Sequence, residues 1–199
     1  MSVVIALLLA YLLGSVSFAV VVSRCSGLAD PRTFGSGNPG ATNVLRTGNK
    51  KAAALTLVGD ALKGAVAVVI ARLAGFEEGV VSLVALAAFF GHLYPVFLKF
   101  KGGKGVATGA GVLLALSPMM GLGVLLTWAL VAYVSKYSSL AAIVAALSAP
   151  AWATSVEGFG LLMMTASVIA MILLAKHVPN IRRLLAGEET KIGGENKSA

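Results

Sequence analysis

The sequence predicts an all-α integral membrane protein with seven transmembrane helices, the N-terminus outside and the C-terminus cytoplasmic. Three observations lead there. The 199 residues are 58% hydrophobic and 12% charged, with a mean hydropathy of +0.90. A soluble domain carries about 25% charged residues. Apolar runs long enough to cross a bilayer recur along the chain, and the basic residues collect in the short segments between them.

A span needs about 20 apolar residues. Residues 3–22, 52–74, 79–98, 140–156 and 159–175 meet or approach that length. The first basic residue is Arg24, with no charged segment ahead of it, so residues 3–22 are expected as a retained span rather than a signal peptide. Residues 105–135 carry Ser117-Pro118 near their middle and read either as one kinked span or as two that turn at Pro118.

Charge separates these alternatives. With two spans the total is seven, and the inside segments are residues 24–51, 99–104, 136–139 and 176–199. They hold five, three, one and five basic residues, 14 of the 16 in the chain. Lys63 and Arg72 fall within a span, and the outside turns hold only Glu77, Glu78 and Glu157. A single kinked span would move Lys136 and the basic tail outside, against the positive-inside rule. The consequence is a short fourth span, residues 105–117, and short glycine-interrupted spans often mark binding sites in membrane proteins. Residues 1–187 are expected as one domain and residues 188–199 as a polar, disordered tail.

The net charge of +8 is accounted for by these loops, so a nucleic-acid partner is not expected. Cys25 is the only cysteine, which excludes a disulfide within the chain. Two distant histidines and one cysteine offer no metal site, and no cofactor motif is present.

Three polar patches stand out: GSGNPGATNVLR (residues 35–46), FKGGKGVAT (residues 100–108) and KHVPNIRR (residues 176–183). The topology puts all three on one side. Residues 35–40 match G-x-G-x-x-G, but no strand or βαβ unit accompanies them, so a dinucleotide fold is not implied. The physics of such loops still applies, because glycines let successive N–H groups face one anion. Ser36, Asn38, Thr42 and Asn43 add short polar groups, and Arg46 adds a planar fork suited to phosphate. A tightly turning solvated loop is the plain alternative. Lys101-Gly102-Gly103-Lys104-Gly105 directly precedes the short span, where a helix N-terminus favours anions. The plain alternative there is a positive-inside anchor, which rarely needs two adjacent glycines.

Asp60 and Lys63 are three residues apart inside the second span, hence on one helix face. A bracing ion pair is the simpler reading, and support of the nearby site the sharper one. His92 and His177 lie near inner ends of spans, and neither begins an H-x-x-x-x-D motif. His177 is the better candidate because Asn180 and Arg182 follow it closely. Tyr11, Tyr94, Trp128, Tyr133 and Tyr137 are expected as interfacial or packing aromatics. Gly105 and Gly109 form a small-xxx-small pair that suits an internal packing face or a dimer face, which leaves a monomer or a weak homo-oligomer open.

GSGNPGATNVLR, DALKG (residues 60–64), GHLYPVFLKFKGGKGVAT (residues 91–108), KYSSLAAI (residues 136–143) and HVPNIRRLLAGEE (residues 177–189) resemble the bacterial acyl-phosphate:glycerol-3-phosphate acyltransferases, the PlsY family. The resemblance runs from residue 11 to residue 189. It implies a multi-pass protein of the bacterial inner membrane with a cytoplasmic active site. It further implies transfer of an acyl group from acyl phosphate to the 1-hydroxyl of sn-glycerol 3-phosphate, giving lysophosphatidic acid for phospholipid synthesis. An acyl phosphate is already activated, so positioning and charge stabilisation suffice without an acyl-enzyme. On this reading Arg46 and Lys104 neutralise phosphate, while His177 and Asn180 orient glycerol 3-phosphate. Ser36, Gly37, Asn38, Thr42 and Asn43 hold the acyl-phosphate head, Lys101, Gly102 and Gly103 shape a second cradle, and Ser139 adds a donor. The proton acceptor is His177 or a donor phosphate oxygen. An organic-phosphate transporter and an assembly subunit are the rival classes. The first should show repeat symmetry, and the second does not explain glycine-rich cationic loops on one side.

Overall fold

A computed structural model describes residues 2–193, and helices make up all of their regular structure. The ten α-helices are α1 (Val3–Ser15), α2 (Phe18–Cys25), α3 (Ala41–Leu45), α4 (Lys50–Leu73), α5 (Glu78–Leu93), α6 (Val106–Leu116), α7 (Pro118–Ser135), α8 (Ser138–Glu157), α9 (Leu161–Lys176) and α10 (Val178–Leu185). Four of them, α4, α5 with the short 3₁₀ turn after it, α7 and α8, are long and apolar enough to cross a membrane. The pairs α1–α2 and α9–α10 pass the same test together but bend by 43° and 58°.

The first expected span is therefore not one straight helix. α1 ends at Ser15, and Ser17 caps α2, its hydroxyl accepting from the Val20 N–H. α10 is likewise a separate helix, charged on one face, and is not a continuation of α9.

The packing uses small residues to bring backbones together. A Cβ on Gly14 would strike the Ala88 carbonyl, and one on Gly91 would strike the Tyr11 carbonyl, so α1 lies directly on α5 with their C-terminal ends together. Gly64 faces the Thr108 carbonyl and Gly111 faces the Ala61 carbonyl, which binds α4 to α6 in a parallel pair. Backbones approach this closely only where side chains are absent. At the far end of that pair the Arg72 guanidinium donates to the carbonyls of Ala115 (2.7 Å) and Leu116 (2.9 Å), and it also pairs with Glu78. A cation satisfying terminal carbonyls complements the helix dipole, so Arg72 caps the short α6.

The chain reverses at Ser117-Pro118. Gly121 lies against the backbone of Leu114, whereas seven residues along one straight helix would separate them by about 10.5 Å. Pro118 opens α7 at a position where its missing N–H has no partner to lose. The 105–135 region is thus a helical hairpin. Gly105 and Gly109 both face Phe89 inside the chain, which makes the small-residue pair an internal packing face.

The core holds Phe89, Leu93, Val112 and Met120, all fully buried, surrounded by alanines of α8 and α9. Leu8, Leu9, Leu55, Leu62, Leu126 and Met171 point outward and are at least half exposed. Small residues inside with large apolar ones outside fit a bundle whose solvent is lipid.

The ends of the helices set where the site forms. The N-terminal parts of α4, α6 and α8 and the C-terminal ends of α5, α7 and α9 gather at one end of the bundle, with α3 and α10 beside them.

Candidate active site

One cavity opens at this end and runs down between α6, α7, α8 and α9. Its mouth is polar and its depth apolar. Ser36, Asn38, Thr42, Arg46, Lys104, Ser139, His177, Asn180, Arg183 and Glu189 line the mouth. Deeper, the walls are Gly109, Leu113, Trp128, Ala142, Ala145, Ala146, Ala149 and Ile169. Most of the deep residues are small, which leaves room for an extended apolar ligand. A cavity with that gradient suits an amphiphile with an anionic head.

The first loop is a built structure. Gly35 (φ 58°) and Gly37 (φ 66°) adopt the left-handed region that other residues avoid. Asn43 organises the loop from α3. Its Nδ2 donates to the carbonyls of Pro31 (2.7 Å) and Phe34 (3.2 Å), and its Oδ1 accepts from the Ser36 N–H (3.0 Å) and Arg46 Nη1 (3.3 Å). With its amide spent this way and only 2% exposed, Asn43 supports the loop and orients Arg46 rather than offering a donor to a headgroup. Thr42 Oγ1 lies 3.1 Å from Ser138 Oγ and ties this loop to the start of α8.

The second loop delivers Lys104. Gly105 (φ 88°) turns the chain into α6, and a Cβ there would enter the Phe89 ring. Gly102 and Gly103 lie so close to His92 and Pro95 that side chains are excluded. Lys104 Nζ then reaches Asn180 Oδ1 of α10 at 2.5 Å.

The third element is α10 with the segment after it. His177 Nδ1 stands 2.8 Å from the Leu173 carbonyl. A carbonyl only accepts, so Nδ1 carries the proton and Nε2 keeps a lone pair. Glu189 accepts from Ser139 Oγ (2.7 Å), Asn180 Nδ2 (2.7 Å) and Arg183 Nε (2.7 Å). The Ile192 N–H donates to the Lys136 carbonyl at 2.7 Å, so the chain after α10 straps back over the α7–α8 turn. Residues 188–193 are therefore part of the folded structure and not a loose tail, while residues 194–199 lie outside the described residues.

The electrostatics of the mouth are unbalanced toward positive charge. Burial pushes the Lys104 amine down to about 8, helped by repulsion from Arg183 and Arg46 and opposed by Glu189. Burial also lowers Arg46, again with Arg183 against it and Glu189 for it. Glu189 is held below the usual range because bonds from Ser139, Asn180 and Arg183 outweigh its desolvation. One carboxylate among three cations leaves a surplus that an anionic ligand would neutralise. His177, which follows α9 and lies outside the spans, is held down at about 4, chiefly by burial, and is neutral at neutral pH.

Sequence reasoning and structure part at several residues. Ser36, Asn38, Thr42, Arg46, Lys104, Ser139, His177 and Asn180 are brought together along this cavity. Gly37, Lys101 and Gly102 are not. They line a separate concavity with Arg32, Lys99 and Phe97. The two-lysine loop therefore splits, Lys104 turning into the cavity and Lys101 away. Ser139 donates to Glu189 and so acts through it. Arg183, and not Arg182, lines the cavity. That choice follows from helical period, since Asn180 and Arg183 are three apart and share a face. Glu189 had no such signal, because it lies beyond the helix and reaches the site by a turn.

Together the bundle and its cavity define a polytopic membrane protein with a cationic, glycine-looped site above an apolar chamber. Comparison with known proteins narrows this. Residues 4–187 match the family described as Glycerol-3-phosphate acyltransferase. The "Glycerol-3-phosphate acyltransferase" of Dechloromonas aromatica is 60% identical over 198 residues, covering 100% of each chain. That of Burkholderia lata is 58% identical, covering 100% of this chain and 95% of the relative. Crystal structures of PlsY (YgiH), an integral membrane glycerol 3-phosphate acyltransferase, superpose closely. The glycerol 3-phosphate form gives a TM-score of 0.89 at 41% identity, covering 96% of both chains. The lysophosphatidic acid form gives 0.87 at 40%, covering 96% of this chain and 95% of that one. The chain belongs to the glycerol-3-phosphate acyltransferase family and is an integral membrane acyltransferase of lipid biosynthesis.

Proposed function

We propose that the protein moves a fatty acyl group from acyl phosphate to the 1-hydroxyl of sn-glycerol 3-phosphate by direct attack, releasing lysophosphatidic acid and inorganic phosphate. The observation that carries this is the cavity itself, with Lys104, Arg46 and Asn180 at its mouth and an alanine-lined chamber beneath. An acyl phosphate has that shape, and both substrates bring phosphate to a site with surplus positive charge.

Lys104 and Arg46 neutralise the phosphates, and Asn180 and His177 orient glycerol 3-phosphate. Ser36, Asn38 and Thr42 hold the acyl-phosphate head, with Asn43 keeping their loop in shape. The 1-hydroxyl oxygen bonds to the acyl carbon, and the bond from that carbon to the phosphate oxygen breaks. Donors at the mouth stabilise the oxyanion between these events. The hydroxyl proton has two possible acceptors. His177 near 4 is a weaker base than a phosphate dianion, whose second pKa is about 6. The departing phosphate takes the proton, and His177 Nε2 aligns the hydroxyl.

The same reading places seven spans in the inner membrane, counting α1–α2 together, α9 without α10 and the short α6 as one each, with the N-terminus outside and the site facing the cytoplasm. The basic loops at the site end support that orientation. Turnover by the purified protein in lipid, with palmitoyl phosphate or palmitoyl-CoA and radiolabelled glycerol 3-phosphate, tests the donor. Product from palmitoyl phosphate alone is expected. Equal use of palmitoyl-CoA would overturn the donor assignment.

A further inference from the structure

Below the mouth of the cavity lies a polar cluster to which the reaction as derived gives no part. Asp60 and Lys63 of α4 form an ion pair at 2.7 Å, both almost wholly buried. Lys63 Nζ also donates to the Val16 carbonyl (2.6 Å), the acceptor freed where α1 breaks before α2. His92, at the end of α5, is 7% exposed, with Nδ1 3.1 Å from Thr108 Oγ1 and 3.6 Å from Asp60 Oδ1. Thr108 donates its own proton to the Asp60 carbonyl at 2.9 Å. Its oxygen can then only accept from the imidazole, so His92 Nδ1 is the protonated nitrogen and Nε2 bears a lone pair.

The other side of this ring meets the loop that delivers Lys104. The Gly103 N–H donates to the His92 carbonyl at 3.1 Å. A Cβ on Gly103 would fall on His92 Nε2, and beyond that on the carbonyl of Pro39. A Cβ on Gly102 would fall on the His92 carbonyl. The Gly102–Gly103 backbone is thus pressed against His92, with the Pro39 carbonyl of the first anion loop also beside Gly103. His92 and Asp60 both line the cavity.

We propose that His92 is a positioning residue for acyl transfer. Locked from below by Thr108 and the Asp60–Lys63 pair, it sets the height of the Gly102–Lys104 loop against the Ser36–Pro39 loop and so fixes where the Lys104 ammonium stands. The inference rests on the reading of Lys104 as a phosphate ligand. It makes Asp60–Lys63 part of the support of the site as well as a brace between helices.

The test uses full-length protein in nanodiscs with His92→Asn, His92→Phe and Thr108→Val. Asn can place an N–H near the position of Nδ1, whereas Phe keeps the ring and loses the hydrogen bond. His92→Phe and Thr108→Val should each raise KM for glycerol 3-phosphate about tenfold or more, with kcat changed less. Amide exchange at residues 102–104 should quicken without ligand. His92→Asn should stay within about threefold of wild type, and the double variant His92→Phe/Thr108→Val should be no worse than the worse single one. An unchanged KM in folded His92→Phe would overturn the proposal. So would a loss in His92→Asn equal to that in His92→Phe. If His92→Phe does not fold, Thr108→Val decides alone. Loop exchange that quickens in a protein whose wild type binds no glycerol 3-phosphate would keep the support role and sink the phosphate reading of Lys104 instead.

Discussion

Lys104 Nζ and Asn180 Oδ1 meet at 2.5 Å although 76 residues separate them in the chain. The amine comes from the loop before α6 and the amide from α10, so this bond joins two of the three polar patches across the cavity mouth. Asn180 is oriented for it by Glu189, which accepts from the other side of the same amide. A phosphate entering the mouth would meet Lys104 already held in place.

Replacing that amine should therefore affect binding of the charged substrate first. A hydrogen bond to a charged group contributes about 1.5–3 kcal/mol, or roughly 10- to 150-fold. Lys104→Met should lower kcat/KM for glycerol 3-phosphate within or beyond that range. Lys104→Arg should recover part of it, since the charge remains while the shape changes. Steady-state kinetics on equal amounts of folded enzyme gives the answer, and Lys104→Met kinetics close to wild type would contradict the assignment.

The same amine predicts a pH dependence. Lys104 sits at about 8, below the ordinary lysine value, because burial and the neighbouring arginines disfavour its charged form. Its charge is full well below pH 8 and is lost as pH rises through that value. KM for glycerol 3-phosphate should accordingly rise between about pH 8 and 9.5. Any alkaline loss in kcat should come at higher pH than the loss in kcat/KM, because a bound phosphate dianion favours the ammonium. Lys104→Arg should flatten the profile, as a guanidinium keeps its proton there. An alkaline limb that persists unchanged in Lys104→Arg would point to another group.

Glu189 is predicted to matter although it touches no substrate in the proposed mechanism. Glu189→Ala would free Arg183, release Asn180 and leave Ser139 without its acceptor. Catalytic efficiency should fall about tenfold or more, with KM carrying most of the change. The carboxyl is held below its ordinary value of 4.5, so its bonds favour the folded state above that pH and are lost as pH falls below it. Thermal unfolding in detergent between pH 6 and 3.5 should show wild type losing more stability than Glu189→Ala.

If the acyl chain lies in the alanine-lined chamber, the depth of the chamber should set the acyl length that is used. Ala146 and Ala149 are buried on the cavity wall. Ala149→Phe should lower turnover of palmitoyl phosphate relative to decanoyl phosphate several-fold by filling the depth of the chamber. Overpacking costs about 1–3 kcal/mol, so melting temperature must be followed in parallel. A uniform loss with both donors would mean that the chamber does not hold the chain.

The fold was legible in the sequence to the extent that it depends on hydrophobicity and local chemistry. Apolar length found the helices, and the charge asymmetry separated residues 105–117 from the helix after Pro118, where the contact of Gly121 with Leu114 shows the reversal. Glycine and cation content found the two glycine-rich loops that send Arg46 and Lys104 to the cavity. These signals are local, because bilayer solvation and backbone freedom act residue by residue.

What the sequence did not determine depended on direction and on distance along the chain. Which lysine of Lys101 and Lys104 enters the cavity depends on a turn at Gly105 against the Phe89 ring, which is contributed by another helix. Asn43 read as a ligand because its type suits one, yet its amide is consumed by Pro31, Phe34, Ser36 and Arg46 once the loop closes. The break after α1 falls at Gly14-Ser15-Val16-Ser17, inside a stretch apolar enough overall to read as one span, and its freed Val16 carbonyl is answered by Lys63, 47 residues away. Glu189 looked like the start of a polar tail until Ser139, Asn180 and Arg183 gave it three donors. Hydrogen-bond partners of this kind are chosen by packing between segments distant in sequence, so only the tertiary structure decides which polar groups remain free for a substrate.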